Sequence, residues 1–520
     1  MTMRSSRTAT SLILMSIVLL ATAATAAAQP PTQPPSPSTL ERLDRVITER
    51  TEASGVPGFA LAVVADDRVV HVRGFGEADA SGRAVTGDTP FVTGSSGKAF
   101  TAVAVMQLVD AGKVDLDALV RRYVPELRIA DRADADRISV RHLLRHTSGF
   151  ASEAGGPLLR SAAEGSSLDA VAEVRDETLV TRPGRTWHYS NVNYVLAGLV
   201  VERASGEPFA RYMSRHVFAP LGMRRTFTAG DDGRAAGLAS GSRYWFGFPR
   251  WHGPTFRPGV QAAGYYVSTA NDFARFLRAI LGDGALDGRR IVSERGLRTL
   301  LAPGPEAQLG PWADGASARY AMGWFVGGPW RERVLFHPGN TPDSSSMLVV
   351  MPERGWAAAS FTNISQELPV PGNPSVPDRL GANVVDALLE EPVGGVSARR
   401  FYAIFDGLAL LVFALLAWSL VRAALALRRA TPVRHQVRTG LGIAARVVPG
   451  LLLLLAPGLT FGWAASRLWM PDLTLALVVF GSMLLITAAL RVAWLLRAKR
   501  RFEPQREQQA ETAERELVLG

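Results

Sequence analysis

Ser95 and Lys98 stand three residues apart in the stretch Phe91-Val-Thr-Gly-Ser-Ser-Gly-Lys-Ala-Phe-Thr-Ala102, a spacing that puts both side chains on one face of a helix. A serine hydroxyl becomes a useful nucleophile when a base takes its proton, and an amine becomes that base once burial removes its charge. Arginine cannot play the part, because its guanidinium does not lose a proton. The chain holds only three lysines (Lys98, Lys113 and Lys499) among 57 Lys and Arg residues, so a lysine here points to a need for a titratable amine. Taken alone, Ser-x-x-Lys also fits a serine that caps a helix ahead of an ordinary first-turn lysine. Ser96 is no rival nucleophile, since its offset from Lys98 takes it off the shared face.

Such a pair needs a rigid support. The stretch predicts a short apolar strand running into a Gly turn, then a helix through Val103, Val105, Met106, Leu108 and Val109 that stops at Gly112. That helix is apolar almost all round, as expected for one in the middle of a domain. At its N-terminus the Ser95 backbone N–H lies where partial positive charge favours a developing oxyanion.

Around it, Phe59–Ala65 and Val69–Gly74, split by Asp66 and Asp67, predict a strand hairpin. A polar insert covers about 153–167, an apolar helix Val195–Ala204, and an amphipathic helix Ala270–Leu281. Strand-like runs at Ala321–Val326, Val334–Phe336, Ser346–Met351 and Trp356–Phe361 close the domain, followed by a helix near Leu380–Leu389. Strands at both ends with helices between predict one α/β (α+β) domain over 40–392, its terminal strands sharing a sheet.

Composition narrows the rest. With no cysteine, disulfides, thiolate metal sites and a Cys nucleophile are excluded. His142, His146 and His188 show no metal-ligand spacing, and no metal or cofactor is expected. The net charge of +10 is unevenly placed: residues 1–28 carry two arginines, and residues 401–520 carry 14 basic against 7 acidic groups. The excess flanks apolar segments and is a topology signal, so no nucleic-acid partner is expected.

Residues 1–28 predict a secretory signal peptide, or an uncleaved N-terminal anchor with the same topology, and 29–39 a Pro-rich linker. After a linker at 393–400, three apolar segments at about 401–421, 447–466 and 473–490 are long enough to span a bilayer, within a membrane region 401–496. Arg422, Arg428, Arg429, Arg434 and Arg438 follow the first segment; Arg497, Lys499, Arg500 and Arg501 follow the third. This bias puts the catalytic domain on the extracytoplasmic (periplasmic or extracellular) side and 497–520 in the cytoplasm as a tail. The expected partners are the lipid bilayer and a small-molecule or peptide substrate, with no obligate protein partner.

Three stretches carry a resemblance: Ser95-Ser-Gly-Lys98, Tyr189-Ser-Asn191 and His337-Pro-Gly-Asn340. In order and rough spacing they resemble the three motifs of serine β-lactamase-like and penicillin-binding-protein-like hydrolases, in the class C, esterase and D-amino-acid-peptidase branch. Ile138–Gly149, Phe218–Met223 and Ser268–Arg275 support it, and the resemblance covers roughly residues 40–390. It implies a β-lactamase-like fold, an antiparallel sheet with flanking helices and a helical subdomain. It also implies that Ser95 is acylated, that Lys98 and Tyr189 (as phenolate or proton shuttle) share the work of a base, and that Asn191 holds Lys98 and the substrate carbonyl. The strand after His337, with Gly339, would supply the second oxyanion donor, the backbone N–H of Asn340.

The third motif departs from the pattern. His337 stands where penicillin-recognising relatives have Lys, Pro338 removes both a hydroxyl and an N–H, and Asp343 adds a negative charge where relatives have Gly. The expectation is therefore an esterase or D-amino-acid amidase or peptidase more than a β-lactamase. The alternative is a non-catalytic sensor of cell-wall fragments or β-lactams using the same pocket. On the residues alone, Tyr189 also fits a core tyrosine, Asn191 a helix N-cap, and His146 a structural turn. The aromatic run Tyr244, Trp245, Phe246, Phe248, Trp251 and Phe256 fits a cleft lip, plain packing or a membrane-surface contact.

Overall fold

The computed structural model describes residues 33–130, 132–151, 166–228, 237–309, 313, 315–365, 375–395, 398–429, 436–460, 462–463, 466–467 and 470–519. The expected signal segment, the first residues of the Pro-rich linker and most of the insert at 153–167 lie outside the described residues.

Helix α1 (Pro37–Ser54) starts inside the stretch expected to be linker. Ser36 accepts a hydrogen bond from the Thr39 N–H, Pro37 fills the first turn, where a missing N–H costs nothing, and Gly55 at φ 67° ends the helix. Strands β1 (Gly58–Ala65) and β2 (Arg68–Gly76) then form the expected hairpin. Every residue of β1 is buried. Phe59, Leu61 and Val63 enter one hydrophobic cluster while Ala60, Ala62 and Val64 enter another, so alternate side chains of one strand feed cores on opposite faces. The sheet is the middle layer.

Strand β3 (Phe91–Val92), helix α2 (Lys98–Asp110), helix α3 (Val140–Leu144) and helix α4 (Asn191–Ser205) lead to a hairpin of β4 (Gly241–Trp245) and β5 (Phe248–His252). Helix α5 (Ala270–Leu281) buries Phe273, Phe276, Leu277 and Ile280, the face its spacing predicts. The chain then returns to the sheet with β6 (Glu306–Gln308), β7 (Ser317–Tyr320), β8 (Phe325–Gly327), β9 (Leu335–Asn340), β10 (Ser345–Met351) and β11 (Trp356–Thr362). The order is β2-β1-β11-β10-β9-β8-β7-β6, antiparallel throughout, with Phe59 opposite Thr362. The terminal strands therefore share one sheet. The expected strand Ala321–Val326 is strand only at its end: residues 321–324 form the turn between β7 and β8, where Gly323 takes φ 80°. Helix α6 (Val376–Leu388) and α1 cover one face, and α2, α4 and α5 lie on the other.

Three long helices follow: α7 (Ala398–Arg429), α8 (Gln436–Thr460) and α9 (Pro471–Leu519). They contain the stretches Tyr402–Arg428, Gly440–Leu459 and Pro471–Arg501, each long and apolar enough to cross a membrane. The second starts and ends earlier than its apolar run predicts. Its helix extends back to Gln436 because a helix need not stop where its polar flank begins, and it ends at Thr460, two residues before Gly462 adopts φ 75°. The expected tail from 497 onward continues α9 as helix to Leu519.

Within the aromatic run Tyr244 packs, while Phe248 is exposed. Tyr244 is buried, its hydroxyl donates to Ser54 O, and its ring lies 5.5 Å from that of Tyr402 on α7. The Phe246 N–H donates to the Asp472 carboxylate at the start of α9 (3.3 Å). The β4–β5 hairpin thus seats the α/β domain on the ends of two of the three long helices.

Candidate active site

Between Phe91 and Phe100 every residue is buried except Ser95, which is half-exposed. The chain reaches it through β3 and a 3₁₀ turn, Gly94–Gly97, and α2 starts only at Lys98. Ser95 was expected in the first turn of the α-helix itself. In the tighter turn, residues three apart eclipse, which stacks Lys98 beneath Ser95. Gly94 at φ 58° makes the turn, and a methyl there would lie 2.5 Å from the Asn340 nitrogen, so β9 passes directly beside Ser95.

Lys98 is fully buried, and its Nζ meets three acceptors: Ser95 Oγ at 3.0 Å, Asn191 Oδ1 at 2.9 Å and the Ala263 carbonyl at 2.5 Å. Burial holds the ammonium well below its ordinary pKa. A neutral amine has two N–H donors and one lone pair. Asn191 Oδ1 and Ala263 O can only accept, so they take the two donors and the lone pair faces the Ser95 hydroxyl. The arrangement can take a proton from Ser95.

Tyr189 is half-buried, with Lys98 Nζ 4.9 Å from its ring centre. Burial of its hydroxyl raises the phenol well above its usual range, and the opposing pull of the Ser95 hydroxyl is smaller. The phenolate form is therefore disfavoured, and the form present is a neutral phenol. Behind it, His146 is buried at φ 55°, its ring 4.4 Å from that of Tyr189. Its Nδ1 accepts from the Ser190 N–H (3.2 Å) and Asn193 Nδ2 (3.0 Å), which places the proton on Nε2. His146 is a turn residue that also backs the Tyr189 ring. Ser190, not Asn191, occupies the N-cap of α4, which frees the Asn191 side chain for Lys98.

On β9, the Thr341 N–H donates to Ser344 O at the hairpin end, and Gly339 lies opposite Ser346. Antiparallel alternation therefore turns the Asn340 N–H away from β10. That side is open, since β8 pairs with β9 only as far as Phe336. A methyl at Gly339 would fall 2.2 Å from Thr93 O and 2.7 Å from the Ser96 nitrogen, so only glycine lets the strand approach the turn this closely. Ser96 points away, with its Oγ 3.0 Å from Thr93 O and 2.7 Å from Ser346 Oγ.

His337 does not reach the cleft as a cation. It is 1 % exposed, Nδ1–H donates to Pro338 O (2.6 Å), and Nε2 accepts from the Tyr320 hydroxyl (3.0 Å). Burial first, and then Lys98 in its charged form, push its pKa down to about 3. Both ring nitrogens are committed to the protein, so this side chain offers neither a charge nor a free donor to a substrate anion. Asp343 likewise adds no open negative charge: it is buried, accepts from Thr255 Oγ1 (2.7 Å) and lies 3.8 Å from Arg243 Nη2.

Of the residues singled out in the sequence, Ser95, Lys98, Tyr189, Asn191, Gly339 and Asn340 come together. Two partners were missed. Ala263 contributes only a backbone oxygen, which no residue type announces. Tyr320 stands 17 residues before His337 and outside the motifs, and the pairing of β7, β8 and β9 carries it there.

The profile of the family described as Beta-lactamase matches residues 43–379. Penicillin-binding protein 4 of Amycolatopsis lactamdurans is 30 % identical over 332 residues, covering 62 % of this chain and 84 % of that protein. Protein flp of Staphylococcus aureus (strain MW2) is 22 % identical over 452 residues, 84 % of this chain and 87 % of that protein. Among solved structures, D-amino acid amidase from Ochrobactrum anthropi SV3, complexed with L-phenylalanine amide, aligns with a TM-score of 0.56 at 25 % identity, covering 68 % of this chain and 98 % of that one.

Proposed function

From the premise that the chain belongs to the Beta-lactamase family of serine hydrolases, we propose that it cleaves an ester or a D-amino-acid amide through an acyl-enzyme on Ser95. The observation that carries this is the position of Lys98 Nζ, with two obligate acceptors behind it and the Ser95 hydroxyl in front. Neutral Lys98 takes the hydroxyl proton as Ser95 Oγ bonds to the substrate carbonyl carbon. The oxyanion is received by the N–H groups of Ser95 and Asn340. The proton then passes from Lys98, by way of the Tyr189 hydroxyl, to the leaving oxygen or nitrogen as its bond to carbon breaks. Water repeats the sequence on the acyl group and frees Ser95.

The amide or ester preference rests on the third motif. A neutral His337 facing inward and a proline at 338 leave no cation or hydroxyl there for the carboxylate of a penicillin. The D-amino acid amidase likeness supports the amide side of the reading. We also propose that the hydrolase domain lies on the extracytoplasmic side of the membrane, on the basic residues that follow the first and third long helices.

The test is labelling of the full-length protein with a fluorophosphonate, followed by peptide mapping. Label on Ser95 that is lost in Ser95→Ala is the expected outcome. A protein that binds D-Ala peptides but is labelled by neither a fluorophosphonate nor a fluorescent penicillin would be the sensor instead.

A further inference from the structure

The three long helices hold a second site. A cavity of about 380 Å³ between them is lined by Arg422 and Trp418 from α7, Arg446 from α8, and Arg491 and Trp494 from α9. One arginine comes from each helix, and no acidic residue lines the cavity. A methyl at Gly442 would lie 3.2 Å from Arg491 Nη1 and 3.7 Å from Arg446 Nη1, so two guanidinium groups meet over one turn of α8. The third, Arg422, sits 4.9 Å over the ring of Trp418. Arg446 Nη1 donates to Gly442 O (2.5 Å), and the indole N–H of Trp494 is buried with no acceptor.

Three converging cations in an apolar bundle repel one another and are costly to keep unpaired in a membrane. An anion relieves both costs. Guanidinium forks and an N–H donor suit a group with several acceptor oxygens and a full negative charge, which describes a phosphate ester. Depth identifies the source. Arg422 is 20 residues past Tyr402 and Arg491 is 20 residues past Pro471, the ends of the spans nearest the hydrolase domain. At 1.5 Å per residue both lie about 30 Å away, one hydrocarbon thickness, at the level of the opposite headgroups. We propose that Arg422, Arg446, Arg491 and Trp494 bind the phosphate of an anionic membrane lipid, clamped between the three helices at the end away from the hydrolase domain.

The experiment uses the full-length protein in mild detergent, titrated with phosphatidylglycerol, phosphatidylcholine or inorganic pyrophosphate and read by native mass spectrometry and thermal unfolding. Phosphatidylglycerol is expected to bind at one per chain and raise the melting temperature, while phosphatidylcholine is not. Arg446→Gln with Arg491→Gln should weaken that binding on the order of tenfold or more, from two lost charge-assisted pairs. Arg446→Lys with Arg491→Lys should fold, keep the charge and recover part of the binding. A control, Arg428→Gln with Arg497→Gln, removes the same charge outside the cavity and should bind as the parent does. Equal losses in the control and the cavity variant would overturn the site, as would parental binding by the cavity variant. Stabilisation by pyrophosphate without binding of phosphatidylglycerol would overturn the lipid as its occupant.

Discussion

Asn191 Oδ1 lies 2.9 Å from Lys98 Nζ, and this contact helps decide which way the lysine's lone pair faces. Asn191 is the first residue of α4 and Lys98 the first of α2, so two helix starts meet at one amine. On the proposed mechanism Lys98 is the base, and Lys98→Arg should put a fixed positive charge in its place and lose activity, because arginine cannot take the Ser95 proton. Loss of general-base catalysis costs about 10²–10⁴-fold, roughly 3–5 kcal/mol of barrier. Single-turnover acylation measured beside a thermal melt separates this from unfolding, and parental acylation by the arginine variant would make the amine structural.

Asn191→Asp tests the same amine by moving its pKa. A carboxylate in place of the amide stabilises the ammonium, opposing the burial that now lowers it. A close opposite charge shifts a pKa by about 1–3 units, here upward. Acylation needs the neutral amine, so its rate rises with pH through the Lys98 pKa, and the variant's rise should move to higher pH by that amount. A pH–rate profile of Ser95 labelling reads it; superimposable profiles would show that another group titrates.

Much of this was legible in the sequence for a physical reason. The continuous apolar run of β1 and the helical stripe on α5 are local patterns, and the fold honours them. The spacing of Ser95 and Lys98 is local too, and it survives the change from α to 3₁₀ turn because three residues still share a face. What sequence could not give is what burial does to charge. The resemblance allowed Tyr189 a phenolate form and set His337 where relatives carry a lysine, but burial holds the phenol above its usual range and the imidazole below its own. Asp343 misled in the same way, since its partners Thr255 and Arg243 come from a hairpin region nearly a hundred residues earlier.

On the proposed function, the neutral, inward His337 implies a substrate order. Short p-nitrophenyl esters and D-amino-acid amides should turn over faster than nitrocefin in kcat/KM, since no third-motif cation meets the carboxylate of a β-lactam. Side-by-side kcat/KM values on the purified full-length protein decide it, and faster nitrocefin hydrolysis would reverse the assignment.

Gly339→Ala probes the approach of β9 to the serine. The added methyl would sit 2.2 Å from Thr93 O, a backbone atom that cannot rotate away. Such overpacking costs about 1–3 kcal/mol, seen as a lower melting temperature. The strand must also move off the Ser95 turn and carry the Asn340 N–H with it. Losing one oxyanion donor costs on the order of 10²–10³-fold, so acylation should fall while most of the protein remains folded. A variant that melts earlier but acylates normally would remove Asn340 from the proposed oxyanion site.

His337 should also leave a mark on acid stability. Its pKa is about 3 in the folded protein, against an ordinary value near 6.5. Between those values the unfolded chain binds a proton that the folded chain refuses, so stability falls as pH drops below about 6.5 and is undiminished above it. One such group contributes a slope of about 1.4 kcal/mol per pH unit. His146, also lowered by burial, adds in the same direction. Replacing His337 with Gln keeps a donor for Pro338 O and an acceptor for the Tyr320 hydroxyl but removes the titrating group. The carboxylates contribute equally to both proteins. Chemical denaturation at intervals from pH 7 to pH 4 should therefore show His337→Gln losing stability less steeply than the parent by about 1.4 kcal/mol per unit. Parallel lines would mean that His337 takes up a proton in the folded state, and the neutral, inward-facing histidine on which the substrate order rests would have to be given up.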